Sequence, residues 1–164
     1  MISGKAIKYG NNVNTDVILP GKYLILTLDP MELAKHAMEG LDPLFFRKAQ
    51  GGAIIVAGRN FGCGSSREEA PLALKHAGVS CVLAESFARI FYRNAINLGL
   101  PVLECSGVSG KVEDGDELVV NLGTGTIKNR SKNLTLRATQ LPEFVMEILG
   151  DGGLIEHLRK RGLK

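Results

Sequence analysis

The stretch GRNFGCGSSREEA, residues 58–70, gathers chemistry-bearing side chains. Gly58, Gly62 and Gly64 lead into Ser65, Ser66 and Arg67, and Glu68 and Glu69 follow. Glycines let backbone N–H groups turn inward and approach a ligand closely. A helix starting here would add unpaired N–H donors at the positive end of its dipole. Arg67 contributes a planar fork suited to a carboxylate or a phosphate, and the two serines place hydroxyls beside it. A plainer reading competes. Ser65-x-x-Glu68 and Ser66-x-x-Glu69 both have capping-box spacing, which needs no ligand. A cap does not account for a cation at the positive end of a helix, nor for three glycines that cost chain entropy. An anion site accounts for more of the residues, and the cap remains its alternative.

Other chemistries fit less well. A P-loop needs Gly-Lys-Ser/Thr where this chain has Cys63–Gly64–Ser65, and a dinucleotide fingerprint needs a third glycine where Arg67 stands. No HExxH occurs. His36, His76 and His157 are far apart in sequence, have no visible partners and read as surface or packing residues. The cysteines Cys63, Cys81 and Cys105 are odd in number and form no CxxC. Neither a disulfide framework nor a cysteine-ligated metal site made by this chain alone is expected.

Several elements must position the loop. GAIIVAG, residues 52–58, is short, apolar and bounded by glycines, so it reads as a buried strand. A helix over 66–77, a strand over 80–85, a helix over 86–99 capped by Ser86, and a strand over 101–104 follow. This β-α-β-α-β series predicts three parallel strands in an α/β fold, with the loop at a strand's carboxyl end, where ligands bind in open sheets. Residues 2–9 and 13–19 read as strands around the turn Gly10–Asn11–Asn12, and residues 31–39 as a helix. Beyond Cys105, Gly-rich turns between alternating residues predict antiparallel strands, and helices over 141–149 and 153–161 close the chain. The flanking strands are expected to form a second sheet within one domain spanning 1–164.

The chain has 164 residues, 45% hydrophobic and 23% charged, enough for a core without staples. A net charge of +3 and 5% aromatics argue against nucleic acid. The basic tail of Arg159, Lys160, Arg161 and Lys164 reads as a solvated helix end. The N-terminus lacks an apolar leader core, and no apolar run approaches the ~20 residues that span a bilayer. A cytoplasmic, reducing compartment and no membrane partner are expected.

NFGCGSSREEAPLALKHAG, then AESFARIFYRNAINLGLPVLE, with NVNTDVILPGKYL near the N-terminus, resembles the small subunits of the isopropylmalate isomerase and homoaconitase group. These are the separate swivel-domain chains of the aconitase superfamily, and the resemblance covers essentially the whole chain. It implies a swivelling β/β/α domain and half of a hydro-lyase. The other half would be a large subunit carrying a 4Fe-4S cluster, so no cofactor is expected on this chain. The implied reaction dehydrates 2-isopropylmalate to an unsaturated diacid and rehydrates it to 3-isopropylmalate, a step of leucine biosynthesis. Ser65 matches the catalytic serine that removes the carbon-bound proton; Ser66 and Arg67 match positions that grip a substrate carboxylate, with Gly62 and Gly64 shaping the loop. A serine alkoxide needs backbone donors, a helix dipole and positive charge, which this stretch is expected to supply. Asp16, with Asn14 and Thr15, matches the family's NTD segment near the site; an Asx-type turn is the alternative for Asp16. Arg59 and Arg89 are expected to support the site from behind, Arg89 with Asn94 mainly through packing. The segment Leu24, Ile25 and Leu26 matches the loop that touches the variable part of the substrate. Homoaconitase-like chains have an arginine at the position of Ile25. An apolar loop would leave a third carboxylate desolvated without a partner, so the small carboxylate substrate is expected to be isopropylmalate; citramalate, dimethylmalate or homocitrate are alternatives. A non-catalytic anion-binding module is the reading from a different class. Alone, the chain could form a homo-oligomer.

Overall fold

The computed structural model describes residues 1–162. Strand β1 (Ile2–Lys8) leads through four short helices, α1 (Thr15–Ile18), α2 (Lys22–Leu26), α3 (Pro30–Ala34) and α4 (Phe45–Ala49), to strand β2 (Ala53–Ala57). Helix α5 (Glu69–Ala77), β3 (Val79–Ala84), α6 (Arg89–Asn97), β4 (Val102–Glu104) and α7 (Val108–Lys111) continue the alternation. Strands β5 (Glu117–Asn121), β6 (Thr126–Asn129) and β7 (Leu134–Arg137) precede α8 (Glu143–Gly150) and α9 (Leu154–Lys160).

All seven strands belong to one sheet in the order β4-β3-β2-β1-β5-β6-β7. The expected α/β series is the parallel run of β2, β3 and β4, with β2 paired to β3 and β3 to β4; β1, expected in a second sheet, adds a fourth parallel strand beside β2. The antiparallel half was expected as a separate sheet and is not one. β1 joins the halves because its two edges serve different partners: Lys5–Lys8 register with Ala53–Val56, whereas Ile2–Lys5 register with Glu117–Val120. Every residue of β2 is buried, as its apolar run dictates for a central strand.

Three local expectations are corrected. Residues 13–19 do not form a strand. Asn14 caps α1, its side chain accepting from the Val17 N–H at 2.8 Å, and Ile18 and Leu19 are fully buried. Their β-branched and apolar character serves burial rather than pleating. Helix α5 begins at Glu69 and its N-cap Glu68 makes no side-chain capping bond, so neither capping box forms. The chain is still turning there, with the Arg67 N–H bonded to the Ser65 carbonyl at 2.9 Å. Helix α6 begins at Arg89, because the Ser86 hydroxyl accepts from the Asn60 N–H at 2.9 Å instead of capping.

The basic tail is neutralised by its own neighbours: Arg159 pairs with Glu156, Lys160 with Asp151 and Arg161 with Glu147. Lys164 lies outside the described residues. No described helix is long and apolar enough to cross a membrane.

Glu85, just past β3, ties the sheet to α7. Its carboxylate accepts from the Gly107 N–H at 2.8 Å and from the Ser109 N–H and hydroxyl at 3.0 Å. Burial pushes its pKa up, but these bonds and the charge of Arg59 prevail and hold it below the usual 4.5. A depressed carboxylate stabilises the fold above its unfolded pKa, and that stability is lost as pH falls through the folded value. The resistance of the wild type to urea is expected to fall on acidification below about pH 5. Glu85→Gln is expected to be less stable at pH 7 and to show a shallower acid slope.

Candidate active site

Four loops leave the carboxyl edge of the parallel half, and the serine loop runs between two of them. On one side the Asn12 N–H bonds the Arg59 carbonyl at 2.8 Å, the Gly62 N–H bonds Val13 at 2.7 Å, and the Thr15 N–H bonds Cys63 at 2.7 Å. On the other, the Phe61 N–H bonds Ser86 at 3.1 Å and the Ala88 N–H bonds Phe61 at 2.9 Å. Residues 59–63 therefore act as a short, irregular strand continuing the sheet beyond β2. Phe61, fully buried, meets Phe87 and Phe91 edge-on at 6.1 and 5.3 Å, a geometry that favours ring quadrupoles.

The glycines have distinct reasons. Gly62 has φ +83°, and a Cβ there would stand 2.1 Å from Cγ of Phe91. Gly64 has φ +102°, and its Cβ would meet the Thr15 hydroxyl at 3.2 Å. The loop can press against its neighbours only where side chains are absent.

Ser65 is exposed, and its Oγ lies 3.2 Å from Oγ1 of Thr15, a residue that is itself buried. Thr15 is thus in direct contact with Ser65, closer than the supporting role expected of it. Ser66 is exposed and makes no side-chain hydrogen bond among the described residues. Arg67 is turned towards the N-terminal segment. Its Nη1 donates to the Leu19 carbonyl at 2.8 Å and lies 3.4 Å from Asp16, while no hydrogen bond engages Nη2 or Nε among the described residues. Asp16 also accepts from the Gly21 N–H at 3.2 Å. Each residue of Asn14–Thr15–Asp16 therefore has its own partner: the α1 backbone, Ser65 and Arg67.

Neither Arg59 nor Arg89 makes a side-chain hydrogen bond with Ser65 among the described residues. Arg59 lines a polar cleft of ≈ 530 Å³ with Asn11, Glu85, Ser86, Ser106 and Ser109. Arg89 lines a groove with Phe87, Tyr92 and Leu141. The segment Leu24–Ile25–Leu26 is helical rather than a loop; Ile25 is 87% and Leu26 77% exposed, while Leu24 packs against the core. Among the described residues no cluster of three His, Cys, Asp or Glu side chains could hold a metal ion. Cys81 and Cys105 are buried and Cys63 is partly exposed.

A family model described as the aconitase C-terminal domain matches residues 34–107. The isopropylmalate/citramalate isomerase small subunit of Methanocaldococcus jannaschii is 61% identical, over 98% of this chain and 95% of that one. The chain belongs to the 3-isopropylmalate dehydratase small-subunit family. The 3-isopropylmalate dehydratase small subunit of Halothermothrix orenii is 58% identical over 99% of this chain and 98% of that one. A crystal structure of a 3-isopropylmalate dehydratase from M. jannaschii superposes with a TM-score of 0.92 at 47% identity, covering 98% of this chain and 95% of its own. The resemblance and the α/β class expected from the sequence are both borne out.

Sequence reasoning missed three contacts: Thr15 on Ser65, Arg67 on Leu19, and the packing of Tyr23 on His36. The first two join residues 48 or more positions apart, which no local pattern reports. His36 and His157 also have partners that sequence inspection did not find, Glu39 and Asp151, each at 2.8 Å. The spacing of His36 and Glu39, one helical turn, was the available signal.

Gly62→Ala is expected to destabilise the fold by roughly 2–4 kcal/mol through overpacking and an unfavourable positive φ. A urea titration followed by circular dichroism measures it.

Proposed function

We propose that this chain is the small subunit of an isopropylmalate isomerase, with Ser65 as the group that takes the carbon-bound proton. The observation that carries the reading is Ser65 itself: exposed on a loop fixed on both flanks, with the Thr15 hydroxyl 3.2 Å away. A rigid exposed hydroxyl suits proton abstraction because little reorganisation is left for the reacting state. A Thr15 hydroxyl donating to Ser65 would stabilise the alkoxide. The free Nη2 and Nε of Arg67 would grip a substrate carboxylate beside Ser66, with Asp16 and the Leu19 carbonyl fixing the guanidinium through Nη1.

In the forward direction Ser65 Oγ takes the proton from the carbon next to the one bearing hydroxyl. The electron pair forms the double bond and the hydroxyl leaves as hydroxide; with the proton that Ser65 took and then gives up, it accounts for the one water lost, and the unsaturated diacid remains. Rehydration in the opposite orientation yields 3-isopropylmalate. The three cysteines of this chain are dispersed, so the 4Fe-4S cluster is assigned to a large partner subunit, where it would polarise the departing hydroxyl. The small-subunit names of the relatives support such a partner. So does the row of exposed apolar side chains Ile25, Leu26, Leu28 and Met31 beyond Arg67, of a kind that marks an interaction site.

Ile25 supports an apolar substrate side chain over a third carboxylate, which would lack a cation there. Citramalate is the second substrate reading, favoured by the double name of the M. jannaschii relative. The deciding experiment is anaerobic reconstitution with the cluster-bearing large subunit, following unsaturated diacid from 2-isopropylmalate, citramalate and homocitrate. Turnover of homocitrate alone would overturn the assignment. Ser65→Ala is expected to assemble normally and lose at least about a thousandfold in kcat; normal turnover would remove Ser65 as the base. Ile25→Arg is expected to weaken 2-isopropylmalate turnover about tenfold or more. Unchanged kinetics would dissociate that residue from substrate choice.

A further inference from the structure

Helix α2 raises a physical problem. It has five residues, none of them buried, and its N-cap Gly21 offers no side-chain cap. A single helical turn is not stable on its own. Its backbone bonds are long, from the Tyr23 N–H to Pro20 at 3.2 Å and from the Thr27 N–H to Tyr23 at 3.2 Å. Yet it carries Ile25, the residue assigned above to the variable part of the substrate.

We propose that Tyr23, Glu39 and His36 form a clamp that positions α2, and through it Ile25, for substrate selection. The Tyr23 ring stacks on the His36 imidazole with centroids 3.8 Å apart and planes within 7°. The Tyr23 hydroxyl donates to one oxygen of Glu39, and His36 Nδ1 contacts the other at 2.8 Å. All three side chains thus close on one another. The base of the clamp is fixed to the core: Ala37 and Met38 lie between His36 and Glu39, both are buried, and the Met38 N–H bonds the Ile18 carbonyl at 2.8 Å. Tyr23 and Ile25 are two positions apart, roughly 200° around a helix. Holding Tyr23 against the body therefore directs Ile25 outward. The N-cap of α2, two residues before Tyr23, meets the carboxylate grip, since a Cβ on Gly21 would stand 3.2 Å from Arg67 Nη2. The N-terminal turn of the helix is thus held by the clamp beside the residue that grips the common carboxylate, and Ile25 projects from the turn that follows. Tyr23, Glu39 and His36 are positioning residues, and their role rests on the assignment of Ser65, Arg67 and Ile25 above.

The test uses Tyr23→Phe, which keeps the ring and deletes the hydroxyl, together with Glu39→Ala, Glu39→Gln and the double variant Tyr23→Phe/Glu39→Ala. Each is reconstituted with the large subunit and assayed on 2-isopropylmalate and citramalate. In parallel, each isolated chain is treated with trypsin and the cut after Lys22 is timed by mass spectrometry. Loss of a hydrogen bond to a charged group predicts a KM for 2-isopropylmalate raised about tenfold, with kcat within about twofold because the clamp does not touch the reacting atoms. Discrimination against citramalate falls, cleavage after Lys22 accelerates about fivefold or more, and the thermal midpoint is unchanged. Glu39→Ala matches Tyr23→Phe, the double variant is no worse than either, and Glu39→Gln, which keeps an oxygen for Tyr23, restores most of the loss. Unchanged KM and cleavage, additive effects in the double variant, or a fall in kcat at normal KM would overturn the clamp. If the wild-type pair turns over neither diacid, the functional assignment fails separately. The tryptic cut then still decides whether Tyr23 and Glu39 restrain α2.

Discussion

The pairing of residues 59–63 with chain on both flanks is the constraint from which the candidate site follows. A loop leaving a strand ordinarily spends its backbone groups on water. Here they are spent on Asn12–Thr15 and on Ser86–Ala88, so the loop inherits the rigidity of the sheet. That pairing demands close approach, and close approach demands Gly62 and Gly64. It also brings Thr15 onto Ser65 and the N-terminal segment within reach of Arg67. The glycines are therefore explained by packing of the loop on its neighbours.

Arg67 shows how one side chain can serve two masters. A guanidinium has five donors in a fixed plane. One corner is held by the Leu19 carbonyl and faces Asp16, which leaves the rest of the fork free at known orientation. Asp16 is 72% exposed along its side chain, so the ion pair is weak and easily rearranged. What fixes the plane is the bond to a backbone carbonyl of a fully buried residue.

The parallel core was legible in the sequence because its signals are local: the apolar run Ala53–Ala57, glycine-bounded, followed by a helix and two further short strands. The resemblance located Ser65, Ser66 and Arg67 in the chain. What stayed hidden is what depends on pairing at a distance. Nothing in residues 2–8 announces that β1 divides its edges between β2 and β5, which merges two expected sheets into one. Val13, Val17 and Ile18 look like strand residues until Asn14 is seen to cap a helix. The capping boxes failed for a related reason. Serine and glutamate at the correct spacing report what a helix start could use, whereas the tertiary structure delayed the helix to Glu69.

The exposure of Ile25 and Leu26 has an evolutionary consequence. Substitutions at exposed positions with no special role in the fold usually change stability by no more than about 0.5 kcal/mol. The side chains of α2 that face outward can therefore vary without drawing on the margin that keeps the fold intact, while the loop of Ser65, locked by glycines and phenylalanines, cannot. On the proposed roles of Ser65 and Ile25, a lineage built on this scaffold would acquire a taste for a new diacid by drift at two or three surface positions, with the proton-transfer apparatus left as inherited.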